Sequence, residues 1–312
     1  MNFAVTLCLV LGAAFGVSSL MLSIVVALAW RGGLARSRAT SGELLVLRLL
    51  PAGGAALLAL TVVLPAFLMY EPAHQREEGG PLLIALAVCA LLTVGAGMWR
   101  AWRACMAARA LRRECGPAHC RSVIAGQHVD IVDVPEPFVA VIGAWRTRIV
   151  ASQRVVSACS NEELSRVIAH EAAHVFARDN LKLLLLVFGP DALAWLPTGA
   201  TLAARWRAAA EREADERATG SDPHQRLALA SALLKVARLA SGAQRPLPTF
   251  SMPIAADDVA GRVRGLLAPP SPAARTNRIG ALVAGVLIVP VIGIPLYALV
   301  HRFIEALVAF GR

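Results

Sequence analysis

Long apolar runs alternate with short charged segments over the first hundred residues, and the pattern returns once near the C-terminal end. Residues 3–30, 49–70, 81–99 and 279–300 contain no Asp, Glu, Lys or Arg, and each is long enough to cross a bilayer core of about 30 Å as a helix. They predict four transmembrane helices. Gly53-Gly54, Pro65, Gly95, Pro290 and Pro295 fall inside these runs. Membrane helices tolerate such residues because freed backbone groups find other partners. Between the third and fourth runs the pattern is that of a folded domain. A helix is predicted to run out of the third span over 98–115 and to stop at Gly116-Pro117. Alternation over 128–134, with 139–142 and 148–151 flanking a short turn at Gly143-Ala144, predicts strands. Residues 161–169 lead an amphipathic helix that continues through His174, and Ala-rich 208–217 and residues 221–240 read as two more. Pro-rich 241–253 and 268–274 bracket a short helix at 257–267 and serve as a cover over a cleft or as a tether to the fourth span. The fold class is therefore an α-rich membrane protein. Residues 1–99 hold three spans, 100–278 form an α+β domain, and 279–312 hold the fourth span and a short tail. There is no internal repeat.

Composition agrees: 57% of the residues are hydrophobic and the mean hydropathy is +0.60. The first run has no Lys or Arg before it and exceeds the apolar core of a secretion signal, so it reads as a retained span. Arg31, Arg36 and Arg38 follow the first span, Arg76 alone among Glu71, Glu77 and Glu78 follows the second, and Arg100, Arg103, Arg109, Arg112 and Arg113 follow the third. The positive-inside rule then places both termini outside an inner (plasma) membrane and the 100–278 domain in the cytoplasm. The net charge of +10 does not point to nucleic acid. Residues 100–278 carry 24 Lys/Arg against 16 Asp/Glu, five of these arginines hug the third span where they meet anionic headgroups, and no DNA-binding motif is present. The six cysteines are scattered. Cys115 and Cys120, with His119 between, lack the second pair of a zinc site and read as ordinary residues.

Against this background His170-Glu171-Ala172-Ala173-His174 stands out. Residues four apart on a helix share a face, so both imidazoles can reach one metal ion, and Glu171 is placed to take a proton from water beside it. A catalytic zinc needs a third protein ligand. In the helical run 208–217, Glu211 and Asp215 share a face while Glu213 points away. Glu211 is the expected third ligand, and Asp215 the expected hydrogen-bond partner of a ligating histidine's outer nitrogen. One zinc ion is thus expected on His170, His174 and Glu211, with Glu171 as base.

Residues 169–181, AHEAAHVFARDNL, resemble the zinc helix of the BlaR/MecR-type membrane metallopeptidases, the penicillinase antirepressors, in which H-E-x-x-H is followed closely by R-D-N and then by a glutamate in E-x-x-x-D. Glu211-Arg212-Glu213-Ala214-Asp215 fits the second motif. Pro137-Phe138-Val139, Gly143 and Arg148-Ile149-Val150 resemble the hairpin before that helix. Thr147 stands where the family often has proline, and Ala214 where the antibiotic sensors often carry cysteine. The resemblance implies a gluzincin-type zinc endopeptidase domain that cuts a cytoplasmic protein, a winged-helix repressor or the chain itself, in transmembrane signalling. It carries the same roles onto His170, His174, Glu211 and Glu171, and makes Asp215 and Asp179 supports of the ligand set. Arg178 and Asp179 are expected to pin the zinc helix rather than to act in chemistry. Residues 148–151 are a candidate edge strand for an extended substrate, with a plain scaffold hairpin as the alternative. The apolar stretches 183–188 and 192–196 are too short to cross the membrane and return, and are expected to form a buried or membrane-apposed helical element. Only residues 301–312 follow the fourth run, so no extracellular penicillin-binding sensor is expected in this chain. Partners are then the bilayer and a protein substrate, with a homodimer open. The alternatives are a quality-control protease of the HtpX-like kind, which shares the two motifs, and an inactive scaffold with a structural zinc. The 37-residue step from His174 to Glu211 and the Asp179-Asn180 pair favour the first resemblance, and an intact Glu171 disfavours the scaffold.

Overall fold

The computed structural model describes residues 3–33, 39–70, 80–116, 118–240 and 259–268, with isolated positions beyond. The predicted fourth span and most of the two Pro-rich segments lie outside the described residues. The chain divides into two compact units. One comprises Met1–Arg100, Phe188–Arg205 and Ala274–Arg312, the other Ala101–Val187 and Trp206–Ala273.

In the first unit lie α1 (Phe3–Arg31), α2 (Ser41–Leu58), α3 (Leu64–Tyr70) and the start of α4 (Pro81–Glu114). Among the described residues, Phe3–Arg31, Ser41–Tyr70 and Pro81–Glu114 are long and apolar enough to cross a membrane. Outward-facing Leu28, Leu60, Leu91 and Leu92 give these helices the apolar surface that lipid would cover. Gly12 and Gly16, one turn apart on α1, face Ala87 and Ala90 of α4, where an added Cβ would come within 3.4 and 3.1 Å of the alanine methyls. Small residues at this spacing let two membrane helices approach closely. A π-helical turn, Ala59–Val63, joins α2 to α3. Pro65 lies just beyond it and cannot donate to the carbonyl four residues back, which opens the ladder at this point.

The second span begins earlier than its apolar run. A capping box, in which Thr40 and Glu43 bond each other's backbone amides, starts the helix at Ser41 and draws Arg48 into it. Arg48 is buried, and its Nη1 donates to both carboxylate oxygens of buried Asp191 at 3.0 and 2.7 Å. The backbone at Gly189 lies so close to the Arg48 guanidinium that a side chain there would collide with it. Arg100 donates to the carbonyls of Phe188 and Gly189 and stacks over Trp195. The apolar stretch after residue 183 is thus divided. Its second part, after Gly189-Pro190-Asp191, groups with the membrane helices.

The second unit holds a four-stranded sheet, β1 (Cys120–Ile124), β2 (Gln127–Val132), β3 (Val139–Ile142) and β4 (Arg148–Ser152), in the order β1-β2-β4-β3. β2 and β4 are parallel, and the other two pairings are antiparallel. Residues 148–151 are therefore not an edge strand. β4 is interior, and the edges are β1 and β3. Both faces of β3 and β4 are covered. Val139, Val141, Ile149 and Ala151 pack with Leu164, Val167, Ile168 and Leu229. Ala140, Ile142 and Val150 pack on the other side with Leu111 and Cys115 at the end of α4. Gly143 turns the β3–β4 hairpin at φ +100°, where a Cβ would meet the carbonyl of Arg146 at 2.5 Å.

The helices α5 (Gln153–Ala158), α6 (Asn161–Ala177), α7 (Asp179–Phe188), α8 (Pro197–Thr219), α9 (Pro223–Ala240) and α10 (Val259–Leu267) follow. A capping box of Ser160 and Glu163 opens α6. Glu163 also accepts hydrogen bonds from Ser231 Oγ (2.6 Å) and Lys235 Nζ (2.7 Å) of α9. Burial alone would raise this carboxyl, but Lys235, Ser231 and the Ser160 amide together hold it down to about 2, from an ordinary 4.5. The stabilisation it provides is complete above pH 4.5 and is lost as the pH falls through 2. Glu163→Gln should accordingly lower stability at neutral pH and flatten its decline across that window, as thermal unfolding at a series of pH values would measure. A wild-type slope in the variant would refute this account.

Candidate metal centre

Leu164, Val167, Ile168, Glu171 and His174 recur at helical spacing on the buried side of α6, so the face that packs on the sheet also carries the two histidines inward. In α8 the alanines do the corresponding work. Ala209, Ala210 and Ala214 are buried and let the helix come close, which brings Glu211 and Asp215 to the same place. Glu213 turns away and pairs with Arg217 at 3.3 Å.

His170, His174 and Glu211 each offer one ligand atom within 4.8 Å of the others. The two Nε2 atoms are 3.1 Å apart. Glu211 Oε2 lies 3.5 Å from His170 Nε2, and Oε1 lies 3.6 Å from His174 Nε2. Each ring's outer nitrogen has its own carboxylate. His170 Nδ1 is 2.9 Å from Asp215 Oδ1, and His174 Nδ1 is 2.8 Å from Asp179 Oδ2. With Nδ1–H donated outward, both rings present an Nε2 lone pair to a common point. Arg262 Nη2 also lies 3.4 Å from both nitrogens of His170. The shorter contact to Asp215 sets the tautomer, since two donors cannot bond each other.

The Arg178-Asp179-Asn180 triplet makes the corner that supplies one of these partners. Arg178 ends α6 in the left-handed conformation at φ 55°, and α7 starts at the next residue. Glycine usually occupies such a position, since a Cβ there costs roughly 1 kcal/mol. The sharp turn brings Asp179 back to His174. Its other oxygen accepts from Lys182 Nζ at 3.0 Å. Asn180 Nδ2 donates to the carbonyls of Val141 and Gly143 at 2.9 and 2.8 Å, tying the corner to β3. The exposed Arg178 does not reach the cluster.

One member was not foreseen. Arg262 of α10 is buried, forks Asp215 through Nε (3.0 Å) and Nη2 (2.6 Å), and reaches Glu211 Oε2 through Nη1 (2.8 Å). Its sequence signal is an arginine at helical spacing between Val259 and Leu266, on the face that is otherwise apolar.

Acidic groups crowd this cluster. Glu171, Asp179, Glu211 and Asp215 are four carboxylates in or beside this pocket, and the cations touching them are Arg262 and Lys182. Burial opposes ionisation of Asp215, yet His170 and Arg262 hold it down to about 2. The same opposition leaves Glu211 below its ordinary range through His170, Arg262 and His174. Burial and the cation Arg262 push His170 down, but Asp215 and Glu211 outweigh them and bring it up to about 9. For Glu171 burial prevails and raises the carboxyl. Two imidazoles and a carboxylate among further acidic groups form a donor set that fits one divalent ion of the borderline-soft kind, such as zinc.

Compared with protein families, residues 81–266 match the model described as BlaR1 peptidase M56. The chain belongs to this family of membrane metallopeptidases. The matched region of the M56 chain runs from the start of α4 almost to the end of α10, so it contains every residue of the cluster, Arg262 included. No curated protein and no solved structure gives a match.

Proposed function

We propose that the chain is an integral-membrane zinc endopeptidase of the BlaR/MecR type, cutting a protein on the cytoplasmic side of the membrane as a step in signalling. The observation that carries this reading is the convergence of His170, His174 and Glu211, each histidine backed by its own carboxylate, with buried Glu171 on the same turn as His170. His170 Nε2, His174 Nε2 and a Glu211 carboxylate oxygen would hold the zinc. When bound, zinc acts as a Lewis acid that polarises a peptide carbonyl and makes an adjacent water acidic near neutral pH. Asp215 and Asp179 keep both histidines in the ligating tautomer. Glu171, its carboxyl raised by burial, takes the proton of the attacking water and passes it to the leaving amine. β3, rather than β4, is the sheet edge beside the zinc helix; Asn180 already takes the carbonyls of Val141 and Gly143, so an extended substrate segment would pair toward its Val139 end.

Sidedness rests on the loop arginines, and a repressor substrate rests on the family. The family match favours this reading over the quality-control alternative. The test uses the full chain in lipid nanodiscs. It is expected to bind one zinc per chain and to cleave a co-expressed candidate winged-helix repressor, with chelation stopping the cleavage. A folded chain that takes up no zinc would overturn the reading.

A further inference from the structure

We infer that Arg262 is a positioning residue of the zinc site, acting on Glu211 and Asp215 together. The inference rests on the metal reading above and deepens it.

Glu211 and Asp215 stand one helical turn apart on α8, where like charges repel. Arg262 lies between them and is itself buried. Its Nε and Nη2 grip the two oxygens of Asp215, and Nη1 takes Glu211 Oε2 at 2.8 Å. Two consequences follow from which atoms are taken. Asp215 can no longer swing away, so Oδ1 remains 2.9 Å from His170 Nδ1. Glu211 has one oxygen committed to the guanidinium and leaves Oε1, the atom nearer His174 Nε2, free of it. Arg262 thereby selects the carboxylate oxygen offered to the metal and supports His170 at one remove. Only a planar fork does both; the ammonium of lysine cannot grip Asp215 bidentately while bonding Glu211.

The guanidinium is held in place through its helix. Val259 and Leu266 bury α10 in the same core as α6 and α9. Arg226 of α9 donates to the carbonyls of Leu266, Gly265 and Ala268, which closes the end of α10 at 2.7–2.8 Å. A helix far along the chain from either motif therefore completes the site.

The test compares zinc affinity and the visible spectrum of the cobalt(II)-substituted full chain in nanodiscs for wild type, Arg262→Gln and Arg262→Lys. Zinc affinity should fall about 10–100-fold in R262Q, the range for loss of a group that orients metal ligands. The cobalt d–d bands should change with it, and R262K should recover part of the affinity but not the spectrum. R262Q with wild-type affinity and spectrum overturns the inference while leaving the zinc reading intact. A wild-type chain that binds no zinc overturns the zinc reading, and the inference falls with it. Should R262Q fail to fold, the lysine variant decides, and a wild-type spectrum and affinity there refutes the role.

Discussion

Glu171→Gln should leave one zinc per chain and reduce cleavage by about 10²–10⁴-fold, the usual contribution of a positioned general base. The amide is nearly the same size as the carboxylate, so the buried position stays filled and α6 keeps its packing. None of the three proposed ligands is altered. What disappears is the proton acceptor. Because burial raises the Glu171 carboxyl, wild-type activity should also fall on the acid side as this group becomes protonated. The glutamine variant's residual rate should lack that dependence. Rates of cleavage of the candidate repressor between pH 5 and 8, beside zinc content by atomic absorption, would measure both. Undiminished cleavage by a zinc-loaded variant would remove Glu171 from the mechanism.

The largest effect on stability is expected in the unit that holds the membrane helices. Arg48 and Asp191 form a buried pair, with side chains 3% and 0% exposed. Removing one partner of such a pair leaves an uncompensated buried charge, at a cost of about 3–5 kcal/mol. Replacing both by apolar residues is often close to neutral. Arg48→Met and Asp191→Leu should therefore each lower the thermal midpoint of the chain in detergent severely, and the double variant should recover most of the loss. Losses that simply add would show that the two side chains do not act as a pair.

The proposed ligands could be read from the sequence because each motif lies within one helix, where spacing alone fixes the shared face. His170 with His174, and Glu211 with Asp215, needed no knowledge of the tertiary fold. Asp179 was harder. Its contact with His174 depends on a left-handed turn at Arg178, and a non-glycine residue gives no compositional sign of that conformation. Arg262 was missed because it meets Asp215 from 47 residues away, although its place on an apolar helix face was visible. β1 was missed because Cys120–Ile124 shows weak alternation between an exposed and a half-buried side. The choice of residues 148–151 as an edge failed for a related reason: strand order is set by long-range pairing. The unbroken apolar run Ile149-Val150-Ala151 in fact suits an interior strand covered on both faces.

The corner at Arg178 has a consequence for how this stretch of chain can vary. No spacer separates α6 from α7, and consecutive residues there face different parts of the molecule: Asp179 a histidine, Asn180 a strand. An inserted or deleted residue would rotate α7 by about 100° and misdirect both at once. The junction cannot change length without moving both, so it behaves as a fixed ruler between the face that carries the two histidines and the sheet.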